Sequence, residues 1–201
     1  MILHLLLMGT QFIQIPRKFL EVNEGTKFVD VLVYAAIDYQ KDSGTARIAM
    51  RTISEKYGIA LSKVEDSVKR LKDNGFINYV QYTSPNNPEY KFNEYTLPLS
   101  NKDFLMLNPS LLIQPLKPKD RGVLIFLQLI ALPNMNDIAE TKIEDIACRL
   151  KITRQTASKY IKAFIKTNQI TEGNCGYKCH YLANKEVPIV PDDNNLPTII
   201  L

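Results

Sequence analysis

From Thr153 to Thr171 the chain carries Arg154, Lys159, Lys162 and Lys166 and not one acid. Gln155, Ser158, Lys159 and Lys162 stand three, one and three residues apart. On a helix that spacing puts them on one side, opposite Ala157, Ile161 and Phe164. A guanidinium reaches guanine O6/N7 in bidentate fashion, a glutamine amide pairs with adenine, and lysines neutralise phosphates. Thr156 and Lys166 complete the group. A basic helix face turned only to water has the same composition, so the pattern gains weight from the fold around it.

A second stretch, 93 positions earlier, offers Ser62, Lys63, Lys69 and Arg70, but interleaves them with Glu65, Asp66 and Asp73. Acids of that kind repel phosphate, although they accept from cytosine N4. This surface reads either as a second, weaker contact, with Arg47 and Arg51 reaching the backbone, or as a dimerisation face. Lys178, on the last hairpin, is a further candidate for phosphate or minor groove, with His180 beside it. Tyr79, Tyr82, Tyr90, Phe92 and Tyr95 on the earlier hairpin read mostly as sheet packing.

Cys175, Cys179 and His180 have near-zinc spacing, but a structural zinc takes four protein ligands. The other histidine is His4, and Cys148 falls on a face read as inward. We therefore expect no metal: Cys175 and Cys179 are turn and strand residues and Cys148 a small core residue. No Gly-x-x-x-x-Gly-Lys loop, Gly-x-Ser-x-Gly elbow or His-Glu-x-x-His motif occurs, so neither an enzyme nor a bound cofactor is expected.

The elements that position these residues come twice. Shifted by 93, the sequence meets itself without a gap from residue 12 to 77: Pro16 on Pro109, Ile37 on Ile130, Ile53 on Ile146, Val68 on Ile161, Ile77 on Ile170. Each copy opens with an extended piece ending at proline (Phe12–Pro16, Leu105–Pro109). An apolar helix follows (about Lys27–Gln40, Lys119–Leu132), then a polar connection at Asp42-Ser43-Gly44 or Asn134–Asp137. Two shorter helices come next. In the first copy Met50, Ile53 and Tyr57 line a helix ended by Gly58, and Val64, Val68 and Leu71 line one from Ser62 to Asn74, stopped by Gly75. In the second, Ile143, Ile146, Ala147 and Leu150 line the earlier helix, and Thr153 N-caps the later one, whose inward face adds Ile165. Hairpins close both copies: Ile77–Thr83 with Tyr90–Leu97 around Ser84–Glu89, and Ile170–Thr171 with Lys178–Leu182 around Gly173–Gly176.

Residues 12–97 and 105–183 thus resemble the winged-helix form of the helix-turn-helix module of phage and plasmid replication proteins and bacterial regulators. The segments Ile53–Ile77 and Ile143–Ile170 carry the likeness: short helix, tight turn, longer helix, then a glycine-hydrophobic-Ile exit. Asn168-Gln169 departs from that exit in the second copy. The resemblance implies a mainly α, α+β fold of two tandem modules related by internal duplication, flanked by an apolar extension (1–11), a linker (98–104) and a tail (184–201). It also implies that the second paired helix enters the major groove of double-stranded DNA.

At 201 residues, 45% hydrophobic and 23% charged, with a net charge of +4, the chain suits two small soluble domains. Met1–Met8 is too short to cross a bilayer and lacks signal-peptide features; it reads as an extra strand or helical turn. Three cysteines form no disulfide framework, and a cytoplasmic, reducing setting is expected. Three roles are open: a plasmid- or phage-type replication initiator or organiser, a transcriptional regulator dimerising through residues 12–97, or a scaffold binding protein partners such as replication or transcription machinery.

Overall fold

The structure, a computed structural model, describes residues 12–21, 28–84, 87–98, 104–131, 138–139, 142–173 and 176–179. Strand β1 (Ile13–Pro16) runs into a 3-10 turn, Arg17–Leu20, and then α1 (Phe28–Tyr39). A small hairpin, β2 (Lys41–Asp42) and β3 (Thr45–Ile48), leads to α2 (Met50–Tyr57), α3 (Leu61–Asp73) and the hairpin β4 (Asn78–Ser84)–β5 (Asn87–Thr96). The second half has β6 (Phe104–Leu107), a 3-10 turn at Pro109–Ile113, α4 (Pro118–Ala131), β7 (Ile138–Ala139), α5 (Ile143–Leu150), α6 (Arg154–Lys166), β8 (Ile170–Gly173) and β9 (Gly176–Cys179). The fold is α+β. Among the described residues the strands form three small antiparallel sheets, ordered β1-β6, β2-β3-β5-β4 and β7-β9-β8.

Apolar spacing decides the helices. Val64, Val68 and Leu71 on α3, and Ala157, Ile161 and Phe164 on α6, are buried, while Glu65, Asp66 and Lys69 on α3 and Lys159 and Lys162 on α6 face water. Helices α2 and α5 are each eight residues long, α3 and α6 each thirteen, and both pairs start 93 positions apart. Their exits match as well. Gly58 (φ 63°) and Lys151 (φ 52°) close the shorter helices, and Gly75 (φ 70°) and Asn168 (φ 55°) follow the longer ones, all left-handed. Asparagine reaches that conformation at lower cost than most residues, so the missing glycine at 168 leaves the turn intact.

One apolar core runs through both halves. Helices α1 and α4 pack together, and Phe126 of α4 meets Phe28 (5.5 Å) and Phe19 (6.4 Å) edge-on. Phe19 in turn stacks on Phe76 at 3.9 Å. The approach is close enough that a Cβ at Gly122 would run into the Phe28 backbone carbonyl. Arg121, buried beside it, donates to the carbonyls of Leu112 and Tyr57, tying α4 to its own 3-10 turn and to the end of α2. Asp38 does similar work in the first half, accepting from the Gln14 backbone N–H (2.8 Å) and the Lys41 ammonium (2.7 Å).

Gln128 on α4 is fully buried, and both its amide atoms lack a hydrogen-bond partner. Replacing it by leucine removes an unrewarded desolvation cost, so Gln128→Leu should stabilise the fold by about 1–3 kcal/mol in chemical denaturation. A loss of stability would mean that the amide is satisfied in solution.

Burial also raises the phenols of Tyr34, Tyr57 and Tyr95, with Tyr95 pushed up to about 12. The folded protein therefore keeps protons that an unfolded chain releases near the ordinary tyrosine value of about 10. The stability these groups contribute is complete below pH ~10 and is lost as pH rises towards 12. Thermal unfolding should be insensitive to these phenols up to about pH 9.5 and shift downward steadily above pH 10. A midpoint unchanged to pH 12 would show that the phenols are not held in the core.

The structure refines the sequence reading at four places. The polar connection at Asp42-Ser43-Gly44 contains the Ser43-Gly44 turn of the β2–β3 hairpin, and β3 in turn pairs with β5, with Arg47 opposite Glu94. The loop between β4 and β5 is shorter than Ser84–Glu89, since Ser84 already pairs with Asn87. Phe104, assigned to the linker, begins β6 opposite Pro16. Cys148 is exposed and not a core residue, because Ile146, Ala147 and Leu150 claim the inward face of α5. Residues 1–11, Asn134–Asp137, Cys175, His180, Leu182 and the tail 184–201 lie outside the described residues.

Candidate nucleic-acid interface

Helix α6 is the best-built candidate. Thr153 precedes it and its hydroxyl accepts from the Thr156 backbone N–H at 3.2 Å, fixing the first turn. The Thr153 and Thr156 hydroxyls also meet, at 2.8 Å. Arg154, Gln155, Lys159, Lys162 and Lys166 are exposed, and Thr156 and Ser158 are half-buried. Below them Ala157, Ile161 and Phe164 hold the helix to the core, with Tyr160 stacked on Phe164 at 6.0 Å. The positive end of the helix dipole, the exposed N-terminal residues and four cations add with the same sign.

Arg154 is not idle. Its Nε lies 2.7 Å from Oε1 of Glu144, at the start of α5. Both side chains are more than half exposed, and a surface pair of this kind contributes about 0–1 kcal/mol, little enough for a phosphate or guanine to displace. Sequence reading missed Glu144. Its position ten residues before Arg154 becomes meaningful only once α5 and α6 pack together.

Helix α3 differs in kind. Ser62, Lys63 and Lys69 are exposed as expected, but so are Glu65, Asp66 and Asp73. Arg70 is half-buried. Its guanidinium grips the fully buried Asp30 of α1 through two donations, at 2.7 and 2.8 Å, and approaches the Ser67 hydroxyl at 3.3 Å. The hydrogen bond to Asp30 raises its pKa. Arg70 thus serves as a strut between α1 and α3, with its side chain still partly exposed. Arg47 pairs with Glu94 (2.5 Å) and Arg51 with Glu55 (2.8 Å), both pairs with an exposed arginine, of the same weak kind as Arg154 with Glu144.

On the first hairpin Tyr95 is buried against Tyr79, while Tyr82 stacks on Phe92 at 5.6 Å and stays exposed, as does Val80. Lys178 lies on β9, opposite Thr171 and Ile138, but its side chain is outside the described set. Among the described residues no cluster of histidine, cysteine or acidic side chains could hold a metal, and no helix is long and apolar enough to cross a membrane. No family model, curated protein or solved structure matches the chain.

Proposed function

We propose that the chain binds double-stranded DNA through two winged-helix modules related by duplication, with α6 as the principal reading helix. The order strand, helix, strand, helix, helix, hairpin, found twice, supports the module reading. So does the shared sheet order, β3-β5-β4 in one half and β7-β9-β8 in the other. The observation that carries the functional reading is the outward face of α6: capped at its N-terminus, exposed and cationic, with no acid of its own and the Glu144 carboxylate of α5 beside Arg154. In this reading Arg154 and Gln155 meet base edges, while Lys159, Lys162 and Lys166 meet phosphates. No catalysis is assigned.

On the sequence resemblance, the protein belongs with replication initiators or organisers of plasmid or phage type. Fluorescence anisotropy of the intact protein with a 30-base-pair duplex across a salt series tests the binding itself. We expect affinity that falls linearly on a log–log plot against salt, with a slope of about −0.9 for each phosphate contact. Absence of binding at low salt, where phosphate contacts are strongest, would leave the protein-scaffold reading in its place.

A further inference from the structure

Arg154 is the first residue of α6, and Glu144 stands in the first turn of α5. The packing of the two helices brings the Glu144 carboxylate to 2.7 Å from the Arg154 Nε. The duplication does not call for this pair. Ninety-three positions earlier stand Leu61, exposed at the start of α3, and Arg51, which pairs along its own helix with Glu55. An acid beside the residue that opens the longer helix is thus a feature of the second half alone. It is also an odd neighbour for a surface that meets phosphates, unless it governs what the arginine does there.

The contact is made at Nε, the inner nitrogen, and the Nη pair beyond it is the fork that meets guanine O6 and N7 end-on. A guanine edge taken that way leaves the ion pair whole. A phosphate brings a full negative charge beside the carboxylate, and one gripped through Nε must displace it. The carboxylate is itself favoured in its place by the N-terminal end of the α5 dipole. In water the pair is weak, because both side chains are more than half exposed. A helix seated in the groove excludes water, and opposite charges at that distance then attract more strongly. We infer that Glu144 is a specificity-determining residue of this interface: it positions Arg154 end-on for guanine and penalises its use as a phosphate clamp. The inference rests on the DNA-binding reading above and adds to it a residue that touches no DNA. Specificity is a difference between affinities, and this carboxylate enlarges it mainly by weakening wrong sites.

The test compares the intact protein with Glu144→Ala, Arg154→Ala and the double variant. Each is titrated, across a salt series, into the 30-base-pair duplex that the protein selects from a random pool and into a scrambled one. Glu144→Ala should bind the scrambled duplex several-fold more tightly, with a salt slope steeper by about one, because the freed guanidinium then acts as a phosphate contact. The ratio of selected to scrambled affinity should fall by about fivefold or more. In the Arg154→Ala background the same substitution should leave that ratio unchanged, since no guanidinium remains to be positioned. A ratio that Glu144→Ala does not move would overturn the inference. So would an equal fall in the Arg154→Ala background, which is the mark of a direct contact between Glu144 and cytosine. Both results leave α6 as the DNA reader. Binding to neither duplex would overturn the DNA reading itself.

Discussion

Arg70→Ala is expected to cost the fold about 3–5 kcal/mol, and the double variant Asp30→Val/Arg70→Ala to recover most of that loss. The reason lies in what each substitution leaves behind. Asp30 has no solvent exposure, and the Arg70 guanidinium supplies it with two charge-assisted hydrogen bonds. Remove the arginine and the carboxylate loses its cation while staying inside the protein. Remove both and the site becomes apolar. The second half already shows such a solution, since Val123 and Ala163 stand 93 positions after Asp30 and Arg70. Urea denaturation of the three proteins measures this directly. Equal stability of the single and double variants would mean that the ion pair is incidental to how α1 holds α3.

The second large effect concerns binding. Lys159→Ala/Lys162→Ala/Lys166→Ala should weaken DNA affinity by about two to three orders of magnitude near 0.1 M salt and reduce the salt slope by about three. Each lysine is exposed on a helix whose inward face is packed, so the protein should keep its stability. Arg154→Ala and Gln155→Ala behave differently. They should relax sequence preference, by about 1–3 kcal/mol for a base contact, with a smaller change in salt slope. If all five substitutions lowered affinity for every sequence alike, α6 would be an electrostatic surface and not a reader of bases.

Much of this was legible before any coordinates. The α2–α3 and α5–α6 pairs follow from apolar residues three and four apart, closed by Gly58 and Gly75 or opened by Thr153. The exposed cations of α6 follow from the same periodicity, because packing fixes one face and leaves the other to water. What escaped was non-local. Strand β3 is four residues long and becomes a strand by pairing with β5, whose Asn93–Thr96 come 45 or more residues later. Arg70 looks like a surface cation until Asp30, 40 positions earlier, is brought beneath it. Cys148 was misread because cysteine is so often buried, and one small residue on an amphipathic helix leaves its side of the helix undetermined.

The central claim is that the N-terminal turn of α6 lies against DNA. A photo-crosslinking residue in place of Gln155 tests it most directly, on the duplexes that the intact protein selects and with exposed Lys117 as the control position. The account predicts a covalent adduct to a base from position 155 and none from position 117. Adducts missing at position 155, on DNA that the protein demonstrably binds, would contradict it and move the interface to another face of the molecule.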